Sequence, residues 1–205
     1  MKDCLLCSIP IRQLTWGGLV GRSGDCICDD CRSGFERIDS QPSRSYFQET
    51  IYEKSLDTIH CIYSYNDSMK SFFHHYKFLE DAALAEVFRN EFLKLRPAVP
   101  IPIAPNFDHL KRSFAPVEAL LPAANVLSIL EKNTQVKQST RKRGERVTST
   151  NPFSIRSHVE VPEEVWLVDD IYTTGTTLHQ AAYVLKEAGV KKVHGFCLAE
   201  TLLKK

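Results

Sequence analysis

The chain has 205 residues, 43% of them hydrophobic, with 26 basic and 25 acidic residues and a formal net charge of +1. That length holds one sizeable domain plus a small module, and that apolar fraction belongs to a globular chain rather than a disordered one. Near-zero net charge excludes a bulk electrostatic drive toward nucleic acid, no apolar run reaches the length of a membrane span, and Met1-Lys2-Asp3-Cys4 lacks the apolar core of a signal peptide.

The expected location is therefore the cytoplasm, where thiols stay reduced, so the seven cysteines are not read as disulfides. Five of them fall in the first 31 residues. Cys4-Leu-Leu-Cys7 and Cys28-Asp-Asp-Cys31 form two C-x2-C pairs separated by twenty residues. That spacing suits a closed, tetrahedral four-thiolate zinc site with a structural role. Cys26 offers an alternative ligand through Cys26-x-Cys28, but the two-residue spacing favours Cys28 with Cys31. The segment has too few apolar residues for a core of its own, so metal binding would supply the missing folding energy. Residues 16–24 read as a hairpin between the two knuckles. We expect a zinc ribbon over residues 1–45 and a second domain over 46–205, with the polar stretch from Asp39 to Lys54 as linker.

The second domain opens on a strand, where Ile59 to Tyr65 alternate in character. Asn66-Asp67-Ser68 then supplies a helix cap, and Met69, Phe72, Phe73, Tyr76 and Leu79 recur at helical spacing. His74 and His75 are neighbours in sequence and face different ways on such a helix, which favours surface or packing roles over a metal site. A second helix is expected from Asp81 to Leu95, with Leu84, Val87, Phe88, Phe92 and Leu95 inward. Val99-Pro100-Ile101-Pro102-Ile103 reads as a buried strand whose prolines confine it to an edge or a strand end. Residues 132–146, KNTQVKQSTRKRGER, are strongly basic without apolar period, the composition of a flexible loop. Lys192 to Ala199 form a last buried strand, with Cys197 as a core thiol.

Between these lies the most informative string, Val165-Trp166-Leu167-Val168-Asp169-Asp170-Ile171-Tyr172-Thr173-Thr174-Gly175-Thr176-Thr177. An uninterrupted apolar run predicts a strand of a parallel sheet, and ligands of open α/β sheets sit at the carboxyl ends of such strands. Asp169 and Asp170 fall at that end. Thr173 to Thr177 would offer hydroxyls and backbone N–H groups to an anion, backed by the positive end of the next helix. The carboxylates would repel a phosphate, so they suit sugar hydroxyls or a divalent cation. The same residues also suit a plain acidic turn followed by a threonine cap.

The full string resembles the phosphoribosyl-diphosphate (PRPP) motif of type I phosphoribosyltransferases, with Trp166 and Tyr172 bulkier than the usual aliphatics. The resemblance implies an α/β parallel sheet, ribose hydroxyls on Asp169 and Asp170, and the 5-phosphate in the loop of Thr173, Thr174, Gly175, Thr176 and Thr177. It implies Mg²⁺ bridging the pyrophosphate. Lys77, in Tyr-Lys-Phe, resembles a segment whose lysine would reach the pyrophosphate, and joins Asp169 and Asp170 as candidate catalytic residues. Residues 132–146 match the hood loop of that fold, so Arg141, Arg143 and Arg146, with Arg112, would contact pyrophosphate or a nucleic-acid backbone.

With the cysteine pairs, Val-Pro-Ile-Pro and Asn151-Pro152-Phe153, nearly the whole chain resembles the ComF family of competence proteins. That family implies a role in natural transformation, with single-stranded DNA, a competence helicase and recombination mediators as partners. Phe114, Phe153, Trp166 and Tyr172 would then serve base stacking if exposed. Ser113-Phe114-Ala115 stands where the family has Gly-Phe-Asn, a departure that bears on pyrophosphate contact and on transfer chemistry.

Overall fold

The computed structural model describes residues 2–11, 26–42, 47–102, 114–133 and 151–201. Helix α1 (Asp29–Ser33) follows the first cysteines, and β1 (Arg37–Ser40) and β2 (Thr58–Ser64) pair antiparallel. Then come α2 (Asp67–Phe78), a 3-10 turn at Ala82–Leu84, α3 (Ala85–Phe92), β3 (Ala98–Pro100) and α4 (Pro116–Leu120). A ribbon of β4 (Leu130–Lys132) and β5 (Phe153–Ile155) precedes β6 (Glu164–Tyr172), α5 (Thr176–Glu187) and β7 (Lys192–Glu200). The central sheet runs β1-β2-β7-β6-β3, with every pair parallel except the β1 edge; β4 and β5 form a separate antiparallel ribbon. This is the mostly parallel α/β architecture that the sequence predicts.

Local chemistry accounts for the elements. Asn66 caps α2 by accepting from the Met69 N–H at 3.0 Å. The expected second helix starts instead as a 3-10 turn, because the Asp81 carboxylate accepts from the Ala83 N–H at 3.2 Å and tightens the entry. β3 is an edge strand, as its prolines require. Pro100 sits opposite Val168, and the chain continues pairing through the Ile101 N–H to the Val168 carbonyl at 2.8 Å.

The apolar core lies on both faces of the sheet. Val165 and Leu167 of β6 pack with α5, Cys61, Val193 and Phe153. Val168 packs on the other face with Phe72, Tyr76 and Phe88 of α2 and α3. Successive strand residues point to opposite faces, so this alternation sends Asp169 toward the α5 side and Asp170 toward the α2 side.

Within the polar stretch 39–54, residues 47–54 carry more structure than their composition implies. Phe47 is buried and stacks on His179 of α5 at 3.8 Å, while the buried Tyr52 meets Tyr183 edge-on at 5.5 Å. Ser55 Oγ lies 2.9 Å from His179 Nδ1. Two aromatic anchors and one hydroxyl fix this segment to α5. The hairpin expected over residues 16–24 lies outside the described residues. Among the described residues no helix is long and apolar enough to cross a membrane.

Candidate functional site

The carboxyl end of β6, the threonine turn and the start of α5 form one continuous surface. Gly175 has φ +77°, a left-handed conformation that disfavours side chains. A Cβ there would also collide with the Tyr172 hydroxyl and ring. Glycine is therefore required twice, by the turn and by the tyrosine ring beneath it. Thr201 holds the strand end in place, its N–H and its Oγ1 donating to the Tyr172 carbonyl at 2.9 and 3.0 Å. Thr174 Oγ1 lies 2.9 Å from Thr176 Oγ1 and accepts from the Thr176 N–H at 3.4 Å. Thr173 is exposed, and Thr174, Thr176 and Thr177 are half-buried around the N-terminus of α5. The turn thus gathers hydroxyls and a helix dipole at one point, a setting that favours an anion.

The two carboxylates beside it have different surroundings. Asp170 forms an ion pair with Lys77 of α2, the two side chains being 15% and 16% exposed. At that degree of burial the pair is only weakly screened by solvent. The Lys77 ammonium also stands 4.7 Å from the centre of the Phe73 ring. Asp169 accepts the Asp170 N–H at 2.9 Å. Burial, and then repulsion from Asp170, raise the Asp169 carboxyl to about 7 from its ordinary 3.8, with Lys77 and Lys132 opposing. Lys132 is itself pushed down by burial, against the pull of Asp169.

Lys132 lies in a strand where the sequence reading has the first residue of a flexible basic loop. It closes β4, pairs in register with Phe153, and holds its ammonium 5.4 Å from the centre of the Phe153 ring. A three-residue strand has no readable period, and the only local signal is Leu130 two residues earlier.

Lys77, Asp169, Asp170 and the threonine turn are thus brought together. Arg112, Arg141, Arg143 and Arg146 lie outside the described residues. The four candidate stacking rings do not stand free: Phe153 and Tyr172 are buried, and Phe114 and Trp166 are half-buried. Phe114 packs on Tyr76, and Trp166 lies between His60 and His194. His74 is exposed and its ring lies 5.7 Å from that of Phe78, a surface arrangement.

A second constellation sits at the N-terminus. The sulfurs of Cys4, Cys7, Cys28 and Cys31 all lie within 4.8 Å of one another. A tetrahedral thiolate site with metal–sulfur bonds of about 2.3 Å places its sulfurs roughly 3.8 Å apart, and the Cys7 and Cys28 sulfurs are already 3.6 Å apart. Burial disfavours the Cys4 thiolate, but N–H groups including that of Cys28, at 3.3 Å, bring it down to about 6. Burial and the neighbouring sulfurs push Cys31 far up. One thiolate forms readily and the next resist, a balance that a bound cation reverses. Cys26 stands apart, buried against Cys4 and Ile27, with its carbonyl accepting from the Leu5 N–H at 2.8 Å. The four residues expected from spacing are the cluster, and Cys26 is a packing thiol.

The family model for the phosphoribosyl transferase domain matches residues 116–204, the span that carries β6, the threonine turn and α5. A competence protein ComFC of Streptococcus pneumoniae is 36% identical over 217 aligned positions, covering 95% of this chain and 98% of that protein. A competence protein ComFC of Bacillus subtilis is 28% identical, covering 91% of this chain and 89% of its own. Similarity of that extent covers nearly the whole chain, and the chain belongs to the ComFC family of competence proteins.

Proposed function

We propose that this protein acts in natural transformation by binding PRPP, or a related phosphate of a nucleic acid, and assists the uptake and processing of single-stranded DNA in the cytoplasm. The observation that carries the reading is the meeting of a carboxylate pair with a threonine turn at a helix N-terminus. Asp169 and Asp170 accept the ribose hydroxyls, and Thr173, Thr174, Gly175, Thr176 and Thr177 enclose the 5-phosphate. The four cysteines hold zinc as a structural ion, and Mg²⁺ accompanies the diphosphate. The competence helicase and recombination mediators are the partners this role calls for.

Phosphoribosyl transfer to an acceptor is the second reading. The Lys77 ammonium at the carboxylate pair favours it, because a fixed cation there would stabilise charge developing on a departing pyrophosphate.

Calorimetric titration of zinc-replete protein with PRPP and Mg²⁺ tests the shared step. Saturable binding in the wild type, lost in Asp170→Asn while that variant still folds to the same circular dichroism spectrum, is the expected result. Absence of binding in the wild type would sink the phosphoribosyl reading. Pyrophosphate release in the presence of nucleobases, amines or nucleotides separates the enzyme from the binding protein.

A further inference from the structure

The acidic pair carries two charges on opposite faces of one strand, and a cation approaches each face. Lys77 reaches Asp170 from α2 and forms an ion pair with it. On the α5 side the cation is Lys132, the last residue of β4. Its position is set by the fold. Lys132 pairs with Phe153, and the next N–H, that of Asn133, donates to the Pro152 carbonyl at 2.7 Å. Phe153 is buried in the same apolar cluster as Tyr172 and Leu178, and Asn151 Nδ2 donates to the Gln180 carbonyl of α5 at 2.8 Å. The ribbon that carries Lys132 is therefore anchored to the helix whose N-terminus forms the threonine turn.

Lys132 makes no direct ion pair among the described residues. Its ammonium rests near the Phe153 ring and within the field of Asp169. A cation over an aromatic ring is held by far less than one on a phosphate, so it can transfer to a stronger acceptor at little cost.

Resting on the phosphoribosyl reading above, we infer that Lys132 is the second cationic residue of the site, balancing Asp169 in the free protein and binding a phosphate oxygen of PRPP in the complex. A ligand with hydroxyls on the carboxylates and its 5-phosphate in the threonine turn still carries a diphosphate. Lys77 and Lys132 stand on the two sides of the strand end where that charge arrives. The two lysines also explain how adjacent carboxylates are tolerated at a half-buried strand end.

The test compares wild type, Lys132→Met and Lys132→Arg by calorimetry with PRPP and Mg²⁺, and by the carboxyl carbon NMR titration of Asp169 in the free protein. Lys132→Met is expected to weaken PRPP roughly ten- to a hundredfold, the range for losing a charged hydrogen-bond donor. Lys132→Arg should recover most of the affinity, which a merely structural role would not predict. In Lys132→Met the Asp169 midpoint should rise, because burial and the repulsion from Asp170 are then opposed only by the Asp170 N–H and Lys77. Wild-type affinity in Lys132→Met would overturn the inference and leave the phosphoribosyl reading intact. If the wild type itself fails to bind, that reading falls, and an Asp169 midpoint unmoved by Lys132→Met overturns the charge pairing separately.

Discussion

Asp169 is a carboxyl group kept where its charge is disfavoured. Its folded value of about 7 lies above the ordinary 3.8, so the folded chain binds this proton more tightly than the unfolded chain does. Stability then falls as pH rises between those two values, and the penalty is complete above about pH 7 and absent below 3.8. Replacing Asp169 with Asn removes the ionisable group. We expect Asp169→Asn to be more stable than wild type at pH 8 by about 1–2 kcal/mol, the full shift being discounted for water at the strand end. That corresponds to a rise of roughly 2–8 °C in melting temperature. The gain should shrink toward zero as the pH approaches 4, while PRPP binding is lost. A melt series from pH 4 to 8 decides it, and a variant less stable than wild type at pH 8 would contradict this account. Such an exchange of stability for a poised charge is what a binding site at a strand end leads one to expect.

Among elements, the β4–β5 ribbon is the least obvious from sequence and the most informative in space. Asn151 ties it to α5 and braces its own strand start: its amide donates to the Gln180 carbonyl of α5 at 2.8 Å, and its carbonyl accepts the Phe153 N–H of β5 at 3.0 Å. Asn151→Ala loses both bonds, which should cost about 1–3 kcal/mol and lower the melting temperature by roughly 2–12 °C. Hydrogen exchange should quicken at Phe153–Ile155 and leave β6 and β7 protected. A uniform loss of protection would show instead that the ribbon is not a separate unit. The contrast with β6 shows what a sequence can carry. Strand, carboxylates, threonines and helix are contiguous there, so apolar run, polar turn and helical period follow one another legibly. Lys132 is legible only through Phe153, more than twenty positions away, because antiparallel pairing of three-residue strands leaves no periodic signal. Phe47 and Tyr52 escape in the same way, their partners on α5 being remote in sequence and their neighbours polar. The 3-10 start of the second helix turns on one aspartate side chain, and boundaries of that kind lie below the resolution of a hydrophobic pattern.

At the scale of the whole molecule, the cysteine cluster is continuous with the main core. Leu5, Leu6 and Phe35 pack against the α2–α3 cluster, and Val87 of α3 packs against Cys4, Cys26 and Ile27. The Phe35 ring lies 4.9 Å from Phe88 and 6.1 Å from Phe72. The spacing of the four cysteines is plain in the sequence; this shared apolar seam is not, since it joins residues more than thirty positions apart. The seam has a thermodynamic consequence. A metal held by the four cysteines would also order the surface that covers Phe88 and Phe72, so its binding energy would reach the α2–α3 cluster. Removing the metal with a chelator under reducing conditions should lower the melting temperature of the entire chain by at least about 5 °C, more than 1 kcal/mol for a protein of this size. The unfolding should remain one transition, because Leu5, Leu6, Phe35 and Val87 pack against both clusters. Calorimetry of metal-replete and metal-free protein reads both quantities. Two resolved transitions, or a main transition unmoved by chelation, would mean that the cluster folds as an independent appendage and that the Phe35 contacts contribute little. Cys31→Ser should reproduce the chelated melt. Cys26→Ser should retain the metal, and any destabilisation it causes should come from packing alone, since the Cys26 sulfur lies outside the four-sulfur cluster.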